Sequence, residues 1–332
     1  MGARRAHHRG ATALIRSHSD TLESIDIMST TWKPQAGIEL IAGTPVGGGQ
    51  DRPARVLMKI LAEERLLDVP VQVLNVVGKG GGKAWDYLLE RPGNPHVLAI
   101  SSPPLLTNRL AGIDNYDHAA LTPIANLYSE YVAFVVRTDS PIANADDLAR
   151  RLGTDPASVV VSLATALGTT NHIALARVTM QAGGDVRALA MHVFDSARYA
   201  VEDCVAGKAD VAAVSAVSAV PEIAEGKLRP IAVTSPQRLG GLFADAPTFA
   251  ERSIDCIEGT WRGVVAPPGL SAEQTRFWEQ TLARATRSPD WNAELERQYW
   301  MASFMDAAQC AQFMDRERDN LRSSMTQLGL LE

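Results

Sequence analysis

The chain has 332 residues, 46% of them hydrophobic and 21% charged, which is ordinary for a soluble globular protein and long enough for two domains of about 100–150 residues each. Its net charge of −6 argues against a nucleic-acid partner. No stretch approaches the roughly 20 apolar residues of a membrane-spanning helix.

The N-terminal segment, residues 1–35, begins with three arginines in its first nine residues. Its apolar run at 11–15 is cut short by Arg16, whereas a secretory signal needs about 7–15 apolar residues. We therefore expect a disordered leader and no recognisable signal peptide. Met28 is an alternative start of translation.

From residue 36 onward, short apolar strands alternate with amphipathic helices, which predicts an α/β fold with largely parallel strands. The predicted strands are Ile38–Ala42, Val71–Asn75, Val97–Ile100, Val132–Arg137, Val159–Ser162, Ala188–Val193, Val211–Val214, Pro230–Thr234 and Gly263–Ala266. The predicted helices include Asp51–Leu67, Asp146–Leu152, Thr170–Gln181, Ser196–Ala206 and Ala272–Thr286. The aromatic C-terminal tail, with Trp291, Leu295, Tyr299, Phe304 and Phe313, is expected to form helices that pack back onto a domain.

A glycine-rich loop, Gly43 to Asp51, joins the first strand to the first helix. Glycines allow a ligand to approach the backbone closely, and a helix N-terminus offers unpaired N–H groups and partial positive charge. The loop therefore predicts an anion site. The alternative is a flexible turn with Asp51 as the helix cap.

Nucleotide cofactors are not predicted. The loop at Gly43 lacks the lysine of a phosphate-binding loop and does not spell the dinucleotide fingerprint. A second glycine cluster, Gly78 to Lys83, is followed by Ala84, where a magnesium-binding hydroxyl would be required. We expect no cofactor.

Two more strand ends carry polar groups. Ser101 and Ser102 follow the third predicted strand, and the segment Gly168 to His172 leads into a helix. Open α/β sheets place their ligands at the carboxyl ends of strands. Simple capping by Thr169 or Thr170 is the alternative for the second segment.

Catalytic and metal-binding patterns are absent from the sequence. It contains neither Gly-x-Ser-x-Gly nor His-Glu-x-x-His. His172 and His192 are interpreted as structural or pocket-lining. The three cysteines, Cys204, Cys256 and Cys310, form neither a disulfide framework nor a zinc pattern.

An ordered series of motifs resembles the solute receptors of tripartite tricarboxylate transporters, also called Bug-type receptors. The series spans residues 36–332 and consists of Pro45 to Asp51, Gly78 to Gly81, Gly168 to His172, Ala206 to Asp210, Gly226 to Ser235, Asp245 to Thr248, Trp261 to Gly263 and Ala266 to Gly269.

The resemblance implies a two-domain periplasmic-binding-protein fold of type II, with a ligand cleft between two mixed sheets. We expect domain one to comprise residues 36–134 and 262–332, and domain two residues 135–261. The cleft would close around a small organic carboxylate. The implied partners are membrane permease subunits, the implied location is the periplasm, and the receptor would be a monomer.

Site residues carry over from the two loops that hold the carboxylate in such receptors. Together with the strand-end residues, the predicted ligand-binding set is Thr44, Val46, Gly47, Gly48, Ser101, Ser102, Gly168, Thr169, Thr170, Asn171 and Asp195. Asp195 departs from the family pattern, and an acid there suits a ligand hydroxyl, amine or water. We therefore expect a hydroxylated or otherwise polar acid.

Two other functions stay open on the sequence. One is an enzyme acting on a carboxylate, with His172 or Asp195 as acid or base. The other is a ligand-sensing partner of a regulatory protein. The missing signal also leaves a cytoplasmic location open.

Overall fold

The computed structural model describes residues 32–164, 166–329 and 331. Ten β-strands lie in these residues: β1 Ile38–Ala42, β2 Val71–Asn75, β3 Val97–Ser101, β4 Thr122–Arg137, β5 Val160–Ala164, β6 Ala190–Phe194, β7 Val211–Ser215, β8 Leu228–Val233, β9 Gly259–Ala266 and β10 Trp300–Met305. The α-helices of the described residues are α1 Asp51–Glu63, α2 Gly82–Leu89, α3 Pro104–Leu110, α4 Ala145–Thr154, α5 Thr170–Gln181, α6 Ala197–Val205, α7 Val220–Ala224, α8 Ala272–Ala285, α9 Pro289–Gln298 and α10 Ala307–Gln327.

The strands follow the order β2-β1-β3-β9-β4-β7-β5-β6, and β4 also pairs with β8 and β10. The long strand β4 belongs to two sheets. Its first part, to Tyr131, pairs with β9 and β10, and its second part, from Val132, pairs with β7 and β8. Parallel and antiparallel pairs occur in both sheets, so the α/β fold with two mixed sheets is confirmed.

The strand registers place a gap between the two sheets. Ser101, at the carboxyl end of β3, pairs with Gly263, which in turn pairs with Asn126 of β4. Farther along β4, Val132 pairs with Ser215, at the carboxyl end of β7. The carboxyl ends of the parallel strands in both sheets therefore face each other across the β4 segment from Asn126 to Val132, which spans about 20 Å at the usual rise per residue.

Each sheet is buried between helices. On the first sheet, α1 and α8 pack on one face through Leu57 and Trp278, and α2 packs on the other through Trp85. On the second sheet, α5 and α6 cover opposite faces through Leu175 and Val201. Because α1, α2, α3, α5 and α6 each follow a strand, their N-termini lie at the edges that face the gap.

Several predicted elements have other bounds in the structure; among them, α1 ends at Glu63 rather than Leu67, β6 begins at Ala190 rather than Ala188, and β9 begins at Gly259 rather than Gly263. The two larger differences lie in the tail and in β4. The tail is not entirely helical, because β10 separates α9 from α10 and pairs with β4. Trp300 of β10 stacks on Tyr128 of β4, with ring centroids 3.9 Å apart, and this packing overrides a helical pattern. The sequence also missed the first ten residues of β4, since the predicted strand began only at Val132.

The predicted leader falls largely on residues 1–31, which lie outside the described residues. Trp32, at its C-terminal end, contacts Phe277 edge-on at 5.2 Å and also lies beside His96 and Trp278. The packed part of the chain therefore extends back to Trp32, ahead of the boundary expected at residue 36. The predicted domain limits themselves stay a prediction.

Candidate functional site

The first loop of the site connects β1 to α1. The Thr44 hydroxyl oxygen accepts hydrogen bonds from the amides of Gln50 and Asp51, each at 3.2 Å, and so caps α1. The Gly47 amide donates to the Asp51 carboxylate at 2.8 Å, and the Gly48 amide donates to the Pro45 carbonyl at 2.9 Å.

Three predicted ligand contacts of this loop, Thr44, Gly47 and Gly48, thus hold the loop itself. Among the described residues, no hydrogen bond uses the amides of Val46 and Gly49. The Thr44 amide likewise donates no hydrogen bond to a described residue, so the loop can offer three N–H groups to an anion. Gly49 was not in the predicted set.

Asp51 organises the same loop through its carboxylate. The side chain is 1% exposed, and it accepts hydrogen bonds from Gly47, Arg55 and Asn75. Burial alone would raise its pKa, but these hydrogen bonds outweigh burial and hold the pKa of Asp51 below its ordinary value. Asp51 is therefore ionised at neutral pH, and its negative charge is paired with Arg55 within the protein.

Gln50, which the sequence analysis did not select, ties the loop after β1 to the end of β3. Its side chain is buried, its Oε1 accepts the Gly43 amide at 2.8 Å, and its Nε2 donates to the Ser102 hydroxyl at 3.0 Å. Gly81, from the second glycine cluster, lies so close to Gly43 that a Cβ on Gly43 would sit 2.7 Å from the Gly81 Cα. The two glycine clusters thus pack directly on each other.

Ser101 and Ser102 lie beneath these loops. Ser101 is fully buried, and its hydroxyl has no hydrogen-bond partner among the described residues. Ser102 is 3% exposed, and its hydroxyl is engaged by Gln50. Both residues lie at the end of β3 as expected, but the structure buries their hydroxyls.

The second loop of the site precedes α5. The Gly168 amide donates to Nδ1 of His172 at 2.9 Å, and the Thr169 hydroxyl donates to the Ala166 carbonyl at 2.8 Å. The Asn171 side-chain amide donates to the Ala164 carbonyl. No hydrogen bond among the described residues uses the backbone amides of Thr170 and Asn171 at the start of α5, so these remain for an anion.

His172 and Asp195 differ in their surroundings. His172 is 5% exposed, its Nδ1 accepts the Gly168 amide, and burial lowers the pKa of its imidazole. It is therefore neutral and holds the loop. Asp195 is exposed after β6, next to Ser196, which caps α6. Its carboxylate makes no hydrogen bond within the described part of the chain.

The floor of the cleft is β9, where both loops meet. Thr260 and Arg262 lie two residues apart on β9 and so project from the same face. The Thr170 hydroxyl lies 2.9 Å from the Thr260 hydroxyl, and Nε of Arg262 donates to the Gly49 carbonyl at 3.0 Å. One strand therefore contacts the loop of each sheet, through two residues whose Cα atoms are about 7 Å apart at the usual strand rise.

Arg262 carries the positive charge of this floor, and its guanidinium group is bonded to other groups of the protein. Its Nη2 donates to the Glu130 carboxylate at 2.8 Å and its Nη1 to the Trp261 carbonyl at 3.1 Å. The side chains are 9% and 20% exposed for Arg262 and Glu130. An anion at this floor therefore meets free amides and helix N-termini rather than an unpaired guanidinium.

No group of three or more histidine, cysteine or acidic side chains within the described residues is arranged to hold a metal. The three cysteines are free and buried. Within the same residues, no helix combines the length and apolar character that crossing a membrane requires.

A sequence model of the tripartite tricarboxylate transporter family receptor matches residues 95–330. The chain belongs to this receptor family. The resemblance inferred from the motif series is therefore confirmed. Protein BugT of Bordetella pertussis is 28% identical over 243 residues, which cover 71% of this chain and 72% of BugT.

Solved receptor structures share the fold. A solute-binding protein of this family from Polaromonas superposes with a TM-score of 0.76 at 26% identity, covering 89% of this chain and 99% of that one. Rpa4515 of R. palustris with adipate superposes with a TM-score of 0.72 at 21% identity, covering 89% of this chain and 98% of that one. MatC of Rhodopseudomonas palustris with bound malate superposes with a TM-score of 0.68 at 20% identity, covering 88% of this chain and 99% of that one. The periplasmic-binding-protein fold of type II is thereby confirmed.

Proposed function

We propose that this receptor binds a small organic carboxylate in the cleft and delivers it to the membrane permease of a tripartite tricarboxylate transporter. The observation that carries the proposal is the meeting of the two loops on β9 through Thr260 and Arg262. Unpaired amides from both loops converge there at helix N-termini, an arrangement suited to one carboxylate.

The neighbours support the ligand class, since MatC holds malate and Rpa4515 holds adipate. We further propose that the chain is not an enzyme. Neither candidate acid or base is joined to a catalytic partner: the Nδ1 atom of His172 is engaged by the Gly168 amide of its own loop, and the Asp195 carboxylate makes no hydrogen bond among the described residues. Family membership favours a periplasmic location and a monomeric receptor.

A thermal-shift screen tests the receptor proposal. Ligands that bind the folded state stabilise it by mass action and so raise its melting temperature. The stabilisation is about 2.7 kcal/mol when the free ligand concentration is one hundred times the dissociation constant. Di- and tricarboxylates, aromatic acids, fatty acids and sugar acids should be compared with matched neutral amides. No shift with any acid would count heavily against a receptor, and turnover of a bound acid would favour an enzyme.

Thr170 is the side chain that we propose contacts the ligand in domain two. A hydrogen bond to a charged group contributes about 1.5–3 kcal/mol, which corresponds to roughly 10- to 150-fold in affinity. Thr170→Val keeps the shape, removes the hydroxyl and should weaken binding at least tenfold in calorimetric titration.

Thr260→Val is the matched control, because it removes the other half of the same hydroxyl pair. If Thr170 contacts the ligand, Thr260→Val should change affinity by much less than Thr170→Val. Equal losses in both variants would show that Thr170 acts only through its contact with the floor. An unchanged affinity in Thr170→Val would leave binding to the backbone amides alone.

A further inference from the structure

The cleft edges carry an unusual share of the exposed apolar side chains. Four of the eight large hydrophobic side chains that are exposed among the described residues follow strands facing the gap: Val46, Val77, Leu167 and Tyr199, which are 74%, 46%, 51% and 52% exposed. Single exposed hydrophobics are normal, so it is the place of these four side chains, on segments that flank the cleft from both sheets, that requires an explanation.

Val46 and Leu167 lie next to the points where the two loops reach the floor. Val46 is three residues before Gly49, whose carbonyl accepts from Arg262, and Leu167 is three residues before Thr170, which contacts Thr260. The two aliphatic side chains thus belong to the two loops, one from each sheet, that carry the amides suited to a carboxylate; these loops are called the two walls of the cleft.

Several polar side chains near the same loops form hydrogen bonds within the protein. The hydroxyl groups of Ser102 and Thr169 and the side-chain amide of Asn171 are all engaged within the protein. The charge of Arg262 is matched by Glu130. A ligand rich in hydroxyl groups would lose its water on entering and find few replacements, and each unpaired polar group is costly.

Building on the receptor function proposed above, we propose that the cleft selects an organic acid with an apolar body, a carbon chain or ring bearing few hydroxyl groups, packed between Val46 and Leu167. This assignment replaces the hydroxylated acid expected from the sequence. That expectation depended on Asp195, Ser101, Ser102 and Asn171. The structure buries or engages the polar groups of the last three, and of the four only Asp195 stays exposed.

Matched acids separate the two possibilities on the full chain. Hexanoate and gluconate share a six-carbon chain and one charge, and adipate and galactarate share a six-carbon chain and two charges. In calorimetric titration, we expect the unhydroxylated member of at least one pair to bind at least tenfold more tightly. Equal or tighter binding of the hydroxylated members would overturn the apolar assignment and keep the receptor. Binding of no acid at all would overturn the receptor function itself.

Substitutions of the two walls give an independent test. Val46→Ser and Leu167→Ser alter exposed side chains, so melting temperatures should stay near that of the unaltered chain. Each should weaken binding of the unhydroxylated acid at least fivefold and change binding of the hydroxylated one by less than twofold. Ile113→Ser, at an aliphatic side chain 52% exposed beyond the C-terminal end of α3, is the control and should leave both affinities unchanged. Unchanged affinities in both wall variants would refute the assignment.

Discussion

Gln50 offers the sharpest test of how the domain-one loop is held. Its side chain is 3% exposed, accepts the Gly43 amide at 2.8 Å and donates to the Ser102 hydroxyl at 3.0 Å. Gln50→Met keeps the length of the side chain and removes both hydrogen bonds. The buried Gly43 amide then has no acceptor, because the methionine that replaces Gln50 fills the same space.

The expected cost follows from these two contacts. An unsatisfied buried N–H group costs about 1–3 kcal/mol, and loss of the second hydrogen bond costs about 1 kcal/mol. Gln50→Met should therefore lower the free energy of unfolding by about 2–4 kcal/mol. Gln298→Met is the matched control, since Gln298 also makes two side-chain hydrogen bonds, to Arg52 and Glu294, but is only half-buried. Water can replace its partners, so the control should lose less than about 1 kcal/mol.

Urea denaturation at constant slope measures the two free energies, and amide hydrogen exchange reports the loop directly. The Gly43 amide should exchange faster in Gln50→Met and at the unaltered rate in Gln298→Met. If Gln50→Met unfolds with a free energy within about 0.5 kcal/mol of the unaltered chain, or loses no more than Gln298→Met, then Gln50 does not hold these loops together, because the expected loss is several times larger.

Three further predictions concern the strand β9, the residue that precedes it and the cleft. Burial raises the pKa of Glu258 to about 7, although the Arg177 guanidinium, 2.8 Å away, lowers it. Because the pKa in the folded state exceeds the pKa in the unfolded state, Glu258 contributes to stability at low pH. This contribution is lost as the pH rises from about 4.5 to 7. Unfolding free energies at pH 5 and 8 should therefore diverge less in Glu258→Gln, and equal divergence would contradict the prediction. Arg262→Met leaves Glu130 without its partner and should cost about 3 kcal/mol, part of which Glu130→Gln should restore in the double variant; an additive loss would be inconsistent with this. Small-angle scattering should show a smaller radius of gyration with a saturating acid, whereas an unchanged radius would indicate a rigid cleft.

Local patterns in the sequence predicted the bounds of those strands and helices whose own residues determine them. Strands β1 and β2 have the predicted bounds, as does helix α5. Each strand is a short run dominated by apolar residues, and α5 begins directly after a capping-type residue. The glycine loop at Gly43 was found for the same reason, since glycine runs mark close backbone approach.

Tertiary pairing decided the parts that the sequence missed. The first half of β4 contains Pro123, Asn126 and Ser129, which break an apolar alternation, yet this segment pairs with β9 on one side and β10 on the other. β10 itself follows Tyr299, whose φ of +55° ends α9. Neither pairing partner is adjacent in sequence, so no local pattern indicated it.

The same reasoning applies to the site. The sequence located both loops, but it gave no sign of which polar groups the loops use to hold themselves. In the structure, Thr44 caps α1, Thr169 and Asn171 bond to carbonyls of their own loop, and His172 accepts from Gly168. The only signal for Arg262 was its place between Trp261 and Gly263 in a motif that ordered the family resemblance.

These assignments give backbone amides and side chains different roles within the cleft. Backbone amides at Val46, Gly49, Thr170 and Asn171 are free because the side chains around them hold the loops. An amide is the same whatever residue carries it, so recognition of the carboxylate requires loop shape rather than particular side chains. The side chains on the walls are then left to distinguish one acid from another. On the function proposed above, substitution of Gln50 should disturb the loop that holds the carboxylate, while substitution of Val46 or Leu167 should change the choice of ligand without disturbing the fold.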